Sequence, residues 1–293
     1  MNLETIGACP ICDYTSFTHF LTCKDYTVSQ ANFNLQKCKS CGFVLTSPRP
    51  VANEMASYYQ SEAYISHSYT QKGLINWLYH KVRKIALRNK LALLEKYFPQ
   101  KGKLLDNGCG RGAFVKFALD NGWRATGIEP DEKTRIFASQ HTQSAILGSL
   151  AGLPTESKYQ AITMWHVLEH IADLHEAIER MKAALVEKGL FFVALPNRES
   201  KDALYFKKYW AAYDVPRHLW HFSKKDVENL FAKHQLYIKA IYPMPFDAYY
   251  ISMLSTKYQN GSVNYLRAVW QGLRSNWAGG RDNTSSLIYV IGN

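Results

Sequence analysis

The stretch that decides the fold is LLDNGCGRGA, residues 104–113. An apolar, strand-like run leads into its glycines, and the helical pattern FVKFALDNG follows them. A glycine-rich turn between a strand and a helix lets backbone amides approach a ligand at the helix N-terminus. The segment therefore predicts an α/β fold that cradles a nucleotide-like ligand.

The glycines of this turn fit two patterns. Gly108, Gly110 and Ala113 satisfy G-x-G-x-x-G/A, the fingerprint of dinucleotide-binding folds. Asp106 followed by Gly108, Gly110 and Gly112 spells D-x-G-x-G-x-G instead. Because the first pattern is weak on its own, the neighbouring segments have to decide between the two.

Composition limits the class of protein before any motif does. The 293 residues, 47% hydrophobic and 14% aromatic, are enough for one sizeable core and a small appended module. The formal net charge of +11 makes nucleic acid, anionic lipid or a phosphorylated small molecule plausible partners. A signal peptide layout and an apolar run of roughly 18 to 20 residues are both absent from the sequence, so we expect a cytoplasmic protein.

Four of the six cysteines form two Cys-x-x-Cys pairs, Cys9 with Cys12 and Cys38 with Cys41. This spacing is a strong indication of zinc, because one tight turn can aim both thiolates of a pair at a tetrahedral ion. Four thiolates close the coordination sphere, so the predicted Zn²⁺ is structural. The alternative is four unrelated buried thiols. We expect a zinc-ribbon-like module over residues 1–50.

Residues 51–98 are predicted to form a helical linker or cap. Tyr58, Tyr59, Tyr64 and His67 lie close together at its start. From residue 74 to 98, apolar residues recur at helical spacing with Lys and Arg between them. This pattern fits a helix packed on the main domain with a solvated basic face. A helix that binds a membrane surface or nucleic acid is the alternative.

From residue 101 strand and helix patterns alternate, which predicts a doubly wound parallel sheet over residues 99–293. Glu129 ends the second strand, where an acid can bind both hydroxyls of a ribose. After Asn197 the chain offers one helix and two final strands, LYIKAIY and SSLIYVIGN, rather than a second mononucleotide-binding half. Two helical stretches at about residues 246–283 are inserted between these strands.

The chain resembles the class I S-adenosylmethionine (SAM)-dependent methyltransferases of the small-molecule type, with a zinc-binding N-terminus. Asp106 and the glycines at 108, 110 and 112 match motif I of that family, and Glu129 matches its ribose-binding acid. Residues 165–170, WHVLEH, match the segment after its fourth strand. The resemblance implies a seven-stranded Rossmann-like sheet with an antiparallel last strand, and SAM as cofactor. Ser149 stands where the family often has an adenine-binding acid, and is the candidate there.

Four histidines are candidate catalytic residues. His166 and His170 follow the fourth strand, and His218 and His221 follow the fifth. Loops at the carboxyl ends of parallel strands form the ligand crevice, so both pairs should face it. Methylation of an oxygen or carbon requires a base near pH 7, a role suited to histidine. We favour His218 and His221; structural roles for individual histidines are the alternative.

The sequence His166-x-x-Glu169-His170 also resembles the E-x-x-E-H metal site of certain metal-dependent O-methyltransferases, with a histidine for the first acid. His218 or His221 would be the fourth ligand of such a site. Similar segments occur in methyltransferases that need no metal. A second metal therefore stays open, and only the four cysteines are predicted as metal ligands.

These patterns predict an enzyme that transfers a methyl group from SAM to a hydroxyl or carbon of a small molecule. A sugar or related metabolite is favoured, with an anionic carrier group as one option. An RNA methyltransferase whose zinc module binds the nucleic acid is the alternative, disfavoured because the module lacks an aromatic-plus-glycine RNA-binding pattern. A non-enzymatic SAM-binding scaffold is the third possibility. The oligomeric state cannot be read from the sequence.

Overall fold

A computed structural model describes residues 2–59, 74–154, 156–280 and 282–293, with only the backbone given for residues 74–80 and 278. The strands are β1 (Leu3–Glu4), β2 (Phe17–Lys24), β3 (Asn32–Cys38), β4 (Val44–Thr46), β5 (Arg49–Pro50), β6 (Lys103–Asn107), β7 (Arg124–Ile128), β8 (Ile146–Leu147), β9 (Tyr159–Trp165), β10 (Leu185–Pro196), β11 (Trp220–His221), β12 (Tyr237–Pro243) and β13 (Ser286–Gly292). The α-helices are α1 (Ala52–Met55), α2 (Leu74–Tyr97), α3 (Ala113–Asp120), α4 (Glu132–Thr142), α5 (Leu174–Ala183), α6 (Lys201–Phe206), α7 (Lys224–Ala232), α8 (Pro245–Asn260) and α9 (Tyr265–Gly279).

Seven strands form the central sheet in the order β12-β13-β10-β9-β6-β7-β8. Strands β10, β9, β6, β7 and β8 pair in parallel, whereas β13 is antiparallel to both β10 and β12. Strand β12 therefore points in the same direction as the parallel strands, and its exit lies on their carboxyl rim. The predicted seven-stranded sheet with an antiparallel last strand is confirmed.

Helices cover both faces of this sheet, as a doubly wound fold requires. Neighbouring strand residues point to opposite faces: Leu105 and Phe191 pack with α5 and α7, whereas Leu104 and Phe192 pack with α2, α3 and α4. The two apolar cores fix the strand ends at one rim, where the loops carry most of the predicted site.

The N-terminal segment forms a second sheet, and the main domain completes it. Strands β2, β3 and β4 pair antiparallel, and β11 pairs with the free edge of β4 through Trp220 with Leu45 and His221 with Val44. Apolar residues of the segment, including Phe43 and Leu45, belong to the same core as Trp220 and Phe222. The first 50 residues thus pack against the segment after β10 that contains β11. The predicted domain limits stay predictions.

The inserted helices α8 and α9 lie between β12 and β13, within the interval expected for the insertion. Leu91 and Leu94 of α2 are buried in the core that they share with α3 and α4, as expected for a helix packed on the main domain. Binding of a membrane surface or nucleic acid by the basic face of α2 stays the alternative. Tyr64 and His67 lie outside the described residues. Within the described part of the chain, none of the helices combines the length and the apolar character needed to cross a membrane.

Candidate active site

The glycine turn adopts a conformation that favours glycine at three positions. Gly108, Gly110 and Gly112 have φ angles of +74°, +54° and +75°. A Cβ on Gly108 would lie 2.4 Å from a methyl of Val167, and one on Gly112 would lie 2.7 Å from a methyl of Thr142. A Cβ on Gly110 would meet nothing within 4 Å. Two glycines therefore allow close packing, and the third presents bare backbone to open space.

Glu129 lies beside Gly110 at the end of β7. Its Oε2 accepts a hydrogen bond from the Gly110 amide at 3.0 Å, and its Oε1 accepts one from the Asp131 amide at 2.9 Å. Burial raises the pKa of Glu129 in spite of these two bonds. The carboxylate is thus fixed at the mouth of the glycine turn, where a ribose would bring two hydroxyl donors.

Asp106 and Ser149 differ in exposure. Asp106 is buried, and its Oδ1 accepts a hydrogen bond from the Thr163 hydroxyl at 2.6 Å. Burial raises its pKa to about 6, although the Thr163 bond and the Lys90 charge oppose this shift. Asp106 therefore ties β6 to β9 beneath the turn. Ser149 is exposed two residues beyond β8. Its predicted contact with adenine stays a prediction.

These observations fit SAM as the bound group. The open side of Gly110 gives room for the methionine and ribose moieties beside backbone amides, and Glu129 is placed to accept from the ribose hydroxyls. Among the described residues of the glycine turn the only cation is Arg111, which stacks 3.8 Å from the ring centre of Phe137. A ligand without a pyrophosphate suits this turn.

The four predicted zinc ligands are brought together. The Sγ atoms of Cys9 and Cys41, and those of Cys12 and Cys38, are each 3.5 Å apart. Zinc–sulfur bonds of about 2.3 Å in a tetrahedron set sulfurs about 3.8 Å apart, so the cluster fits a zinc ion closely. Burial and neighbouring thiols raise the pKa of Cys41 to about 11 in the absence of metal. Metal binding would therefore release protons.

Two similar turns aim these thiolates. Asp13 follows the first pair with φ +59°, and Gly42 follows the second with φ +82°. In each turn the residue after the second cysteine donates its amide to the carbonyl of the first, at 2.8 Å from Asp13 to Cys9 and 3.0 Å from Gly42 to Cys38. A residue with a left-handed backbone conformation closes each turn. The sequence indicates this conformation only at Gly42, because glycine favours it.

Glu169 is the centre of the histidine cluster. Its side chain is 0% exposed, yet neither carboxylate oxygen makes a regular hydrogen bond within the described part of the chain. His166 Nδ1 lies 3.4 Å from Glu169 Oε1, and His218 Nε2 lies 4.0 Å from the same oxygen. Burial favours the neutral acid, but the surrounding imidazoles lower the pKa of Glu169 below its usual value. An ionised carboxylate with unused acceptor capacity therefore lies at the centre of this cluster.

A backbone carbonyl contacts Nδ1 of both His170 and His218. His170 Nδ1 is 3.0 Å from the carbonyl oxygen of Arg217, and His218 Nδ1 is 2.8 Å from that of Ala212. Since a carbonyl only accepts, both Nδ1 atoms carry a proton, and Nε2 is the nitrogen of each ring that can accept one. Burial, reinforced by His218, lowers the pKa of His170 to about 4. Tyr59 places its hydroxyl 2.9 Å from His170 Nδ1.

His221 is held by a different set of contacts. Its Nε2 lies 2.9 Å from the Thr46 hydroxyl, which itself donates to the His218 carbonyl at 2.8 Å. Burial lowers the pKa of His221 well below its usual value. The structure thus separates the two favoured histidines: His218 faces the buried carboxylate, and His221 joins β11 to the N-terminal sheet.

His166 bridges two carboxylates at the rim. Its Nε2 is 2.9 Å from Asp247 Oδ2 at the start of α8, and its Nδ1 contacts Glu169. Burial opposes protonation, but the hydrogen bond to Asp247 and the charge of nearby Glu169 raise the pKa of His166 to about 10. A protonated imidazole at neutral pH is a donor and a positive charge rather than a base.

Sequence reasoning missed Asp247 and underrated Glu169. Asp247 is the only acidic residue between positions 245 and 280, and this was the one available indication of a special role. The candidate ligands of a second metal differ from those predicted. Within the described residues of this cluster, the ligand atoms that lie within 4.8 Å of one another belong to Glu169, His170 and His218. His166 faces Asp247 instead, so the contiguous motif is not the candidate ligand set.

Comparisons with known proteins agree with this geometry. A family model described as a methyltransferase domain matches residues 78–241. The ubiquinone biosynthesis O-methyltransferase of Glaesserella parasuis serovar 5 (strain SH0165) is 32% identical over 111 residues, 34% of this chain and 47% of that protein. The corresponding protein of Bordetella avium (strain 197N) is 32% identical over 113 residues, 35% of this chain and 46% of that protein. The chain spans about half the length of the curated relatives it matches.

Solved structures show the same fold at low identity. Magnesium protoporphyrin IX methyltransferase from Synechocystis PCC 6803, with bound S-adenosylhomocysteine, gives a TM-score of 0.53 at 13% identity, covering 80% of this chain and 96% of that one. The 1,6-didemethyltoxoflavin-N1-methyltransferase of Burkholderia thailandensis gives a TM-score of 0.51 at 14% identity, covering 87% of this chain and 97% of that one. With the family match, the strand order and the glycine turn beside Glu129, the chain belongs to the class I SAM-dependent methyltransferases.

Proposed function

We propose that this enzyme transfers the methyl group of SAM to a hydroxyl oxygen of a small molecule. The O-methyltransferase names of the matched relatives support an oxygen acceptor. The observation that carries the proposal is the fixed tautomer of His218. Its Nδ1–H is held by the Ala212 carbonyl, so Nε2 can take a proton beside the Glu169 carboxylate.

Bound SAM supplies an electrophilic methyl carbon on a positively charged sulfur. His218 Nε2 takes the proton from the acceptor hydroxyl as the new oxygen–carbon bond forms and the carbon–sulfur bond breaks. Glu169 stabilises the imidazolium that results, because its charge lies 4.0 Å from Nε2 and both side chains are largely buried. Proton transfer of this kind contributes typically about 100-fold to 10,000-fold to the rate.

Asp214 is a second carboxylate near His218. Its Oδ2 is also 4.0 Å from His218 Nε2, while both of its oxygens accept hydrogen bonds from Arg217. The Arg217 guanidinium keeps the pKa of Asp214 below its usual range in spite of burial. Two carboxylates therefore lie 4.0 Å from His218 Nε2, and one of them is held in place by Arg217.

The position of the zinc module supports a small acceptor over RNA. Arg49 of the module stacks 4.8 Å from the Trp220 ring centre, and Arg198 of the main domain donates to the Gly42 carbonyl at 3.2 Å. The module is thus engaged in packing against the loop that carries His218. We propose that its role is to hold this loop, rather than to bind nucleic acid.

Incubation with methyl-labelled SAM tests the proposal. One reaction contains a low-molecular-weight metabolite extract and the other contains total RNA, each with and without ribonuclease. We expect label in the small-molecule fraction, resistant to ribonuclease, with a methoxy carbon in the NMR spectrum of the product. Label in RNA, or an N-methyl or C-methyl product, would contradict the proposal. The Glu129→Ala variant controls for transfer that does not depend on the SAM site.

A further inference from the structure

Helix α9 carries its apolar residues on the outside. Its inward face is small or polar: Ala268, Gln271, Gly272 and Ser275 are all buried. Its outward face is a continuous apolar stripe, which we call the α9 stripe. The members of the stripe, with their exposed fractions, are Leu266 (87%), Val269 (50%), Trp270 (65%), Leu273 (49%) and Trp277 (89%). Their spacing of three and four residues places them on one side of the helix.

Specific contacts hold the helix in this orientation. The Ser275 hydroxyl donates to Asp202 Oδ1 at 2.7 Å, and Asp202 also accepts from the Trp210 indole at 2.8 Å. A Cβ on Gly272 would lie 2.7 Å from the Tyr249 ring, so α8 and α9 approach closely only because this position is glycine. A rotation that buried the stripe would break these contacts. The exposure of the stripe is therefore fixed by the packing of α9.

Large exposed apolar patches on a soluble protein mark sites that leave water when a partner binds. The patch continues onto the adjoining helix α6, where Leu204 is 59% and Tyr205 is 39% exposed. Arg267 of α9 donates to the Tyr205 hydroxyl at 2.6 Å and joins the two helices. These seven side chains thus form one exposed apolar face.

The segments that carry this face contain more basic than acidic residues. Residues 245–280 contain three basic residues, Lys257, Arg267 and Arg274, and one acidic residue, Asp247, which is engaged with His166. Exposed Lys207 and Lys208 follow directly after α6. Aromatic and aliphatic side chains flanked by Lys and Arg are typical of helices that lie in the interface of an anionic bilayer.

We infer that the α9 stripe docks this enzyme on the surface of an anionic lipid bilayer. Leu266, Trp270 and Trp277 enter the boundary between headgroups and acyl chains, while Arg274 and the lysines after α6 contact lipid phosphates. The alternative occupant is a second copy of the chain, which would bury a similar stripe. In such a dimer the basic residues beside both stripes would repel each other.

Co-sedimentation of the full chain with vesicles tests this inference. One vesicle preparation is phosphatidylcholine alone, and the other contains phosphatidylglycerol in addition. We expect binding to the anionic vesicles that weakens with added salt, and at least about tenfold weaker binding for the double variant Leu266→Ser with Trp277→Ser. Arg274→Gln should weaken binding to anionic vesicles by a smaller factor.

The matched control is Ile136→Ser on α4, an apolar residue that is 52% exposed and lies outside the stripe. It should bind vesicles like the unmodified protein. The double variant should retain its circular dichroism spectrum and SAM affinity, since both side chains are almost fully exposed. Absence of anionic-vesicle binding, unchanged binding of the double variant, or a dimer in light scattering that the double variant loses would each overturn the inference.

Discussion

Arg217 donates a hydrogen bond from Nη2 to Asp25 Oδ1 at 3.2 Å, joining two residues that are 192 positions apart and both almost fully buried. The same nitrogen also bonds to Asp214 Oδ1 at 2.6 Å, and Nη1 donates to the Tyr58 carbonyl at 3.1 Å. One guanidinium thus connects the N-terminal sheet, the segment before α2 and the loop of His218. Its charge keeps the pKa of Asp214 low and, with backbone bonds from Ser29, that of Asp25.

Replacement of Arg217 by Met should strongly destabilise the protein. The buried Asp25 and the partly buried Asp214 would lose their counter-ion, and breaking a buried pair such as Arg217–Asp25 costs about 3 to 5 kcal/mol. Urea unfolding measures the loss. Arg180→Met is the control, because Arg180 pairs with Glu176 on the surface of α5 and such pairs contribute only about 0.3 to 0.5 kcal/mol. Equal effects of the two substitutions would show that Arg217 is not a structural link.

The purified protein should contain about one zinc ion per chain. Cys38→Ser should lose the metal, since a closed thiolate site fails without one ligand, and Cys23→Ala should retain it because Cys23 lies outside the cluster. Since β4 pairs with β11, loss of zinc should lower methyl transfer more than SAM affinity. Elemental analysis of the purified variants measures the zinc content. A second divalent ion that disappears in Glu169→Gln would place a metal in the histidine cluster and contradict the proposed proton transfer.

Glu129→Ala should weaken SAM binding by roughly 1.5 to 3 kcal/mol, the range for hydrogen bonds to a charged group. The backbone amides of Gly110 and Asp131 would also lose their acceptor, so the loop geometry must be checked by thermal melting. Calorimetric titration gives the affinity. Glu132→Ala, in the first turn of α4, is the control and should bind SAM like the unmodified protein. An unchanged affinity for Glu129→Ala would remove Glu129 from the cofactor site.

The contact of His166 with Asp247 and Glu169 should give a pH-dependent stability. Because folding raises the pKa of His166 from 6.5 to about 10, its contribution is complete below about pH 6.5 and is lost as the pH rises through about 10. The difference in unfolding free energy between the unmodified protein and His166→Gln should therefore shrink from pH 6 to pH 10. His141→Gln, at an exposed position, is the control. A difference that stays constant over this range would refute the bridged imidazolium.

Local sequence predicted the parts of the site that depend on local geometry. The glycine turn, Glu129 and the paired cysteines each need particular residues at short spacing. Such requirements can be recognised in the amino-acid sequence. The β11–β4 pairing, the Arg217–Asp25 bond and the His166–Asp247 bond join distant segments, and none leaves a periodic pattern. The residues of α9 do show helical periodicity, but only tertiary contacts such as Ser275 with Asp202 decide which face is inside.

The measurement that tests the proposed mechanism most directly compares two histidine variants in the labelled-SAM assay. His218→Asn keeps a donor for the Ala212 carbonyl and removes Nε2, whereas His221→Gln keeps a polar partner for Thr46 outside the cluster. We expect His218→Asn to lower turnover about 100-fold or more, with SAM affinity and unfolding free energy near those of the unmodified protein, and His221→Gln to stay close to full activity. Full turnover by His218→Asn on the identified acceptor would contradict the assignment of His218 as the base.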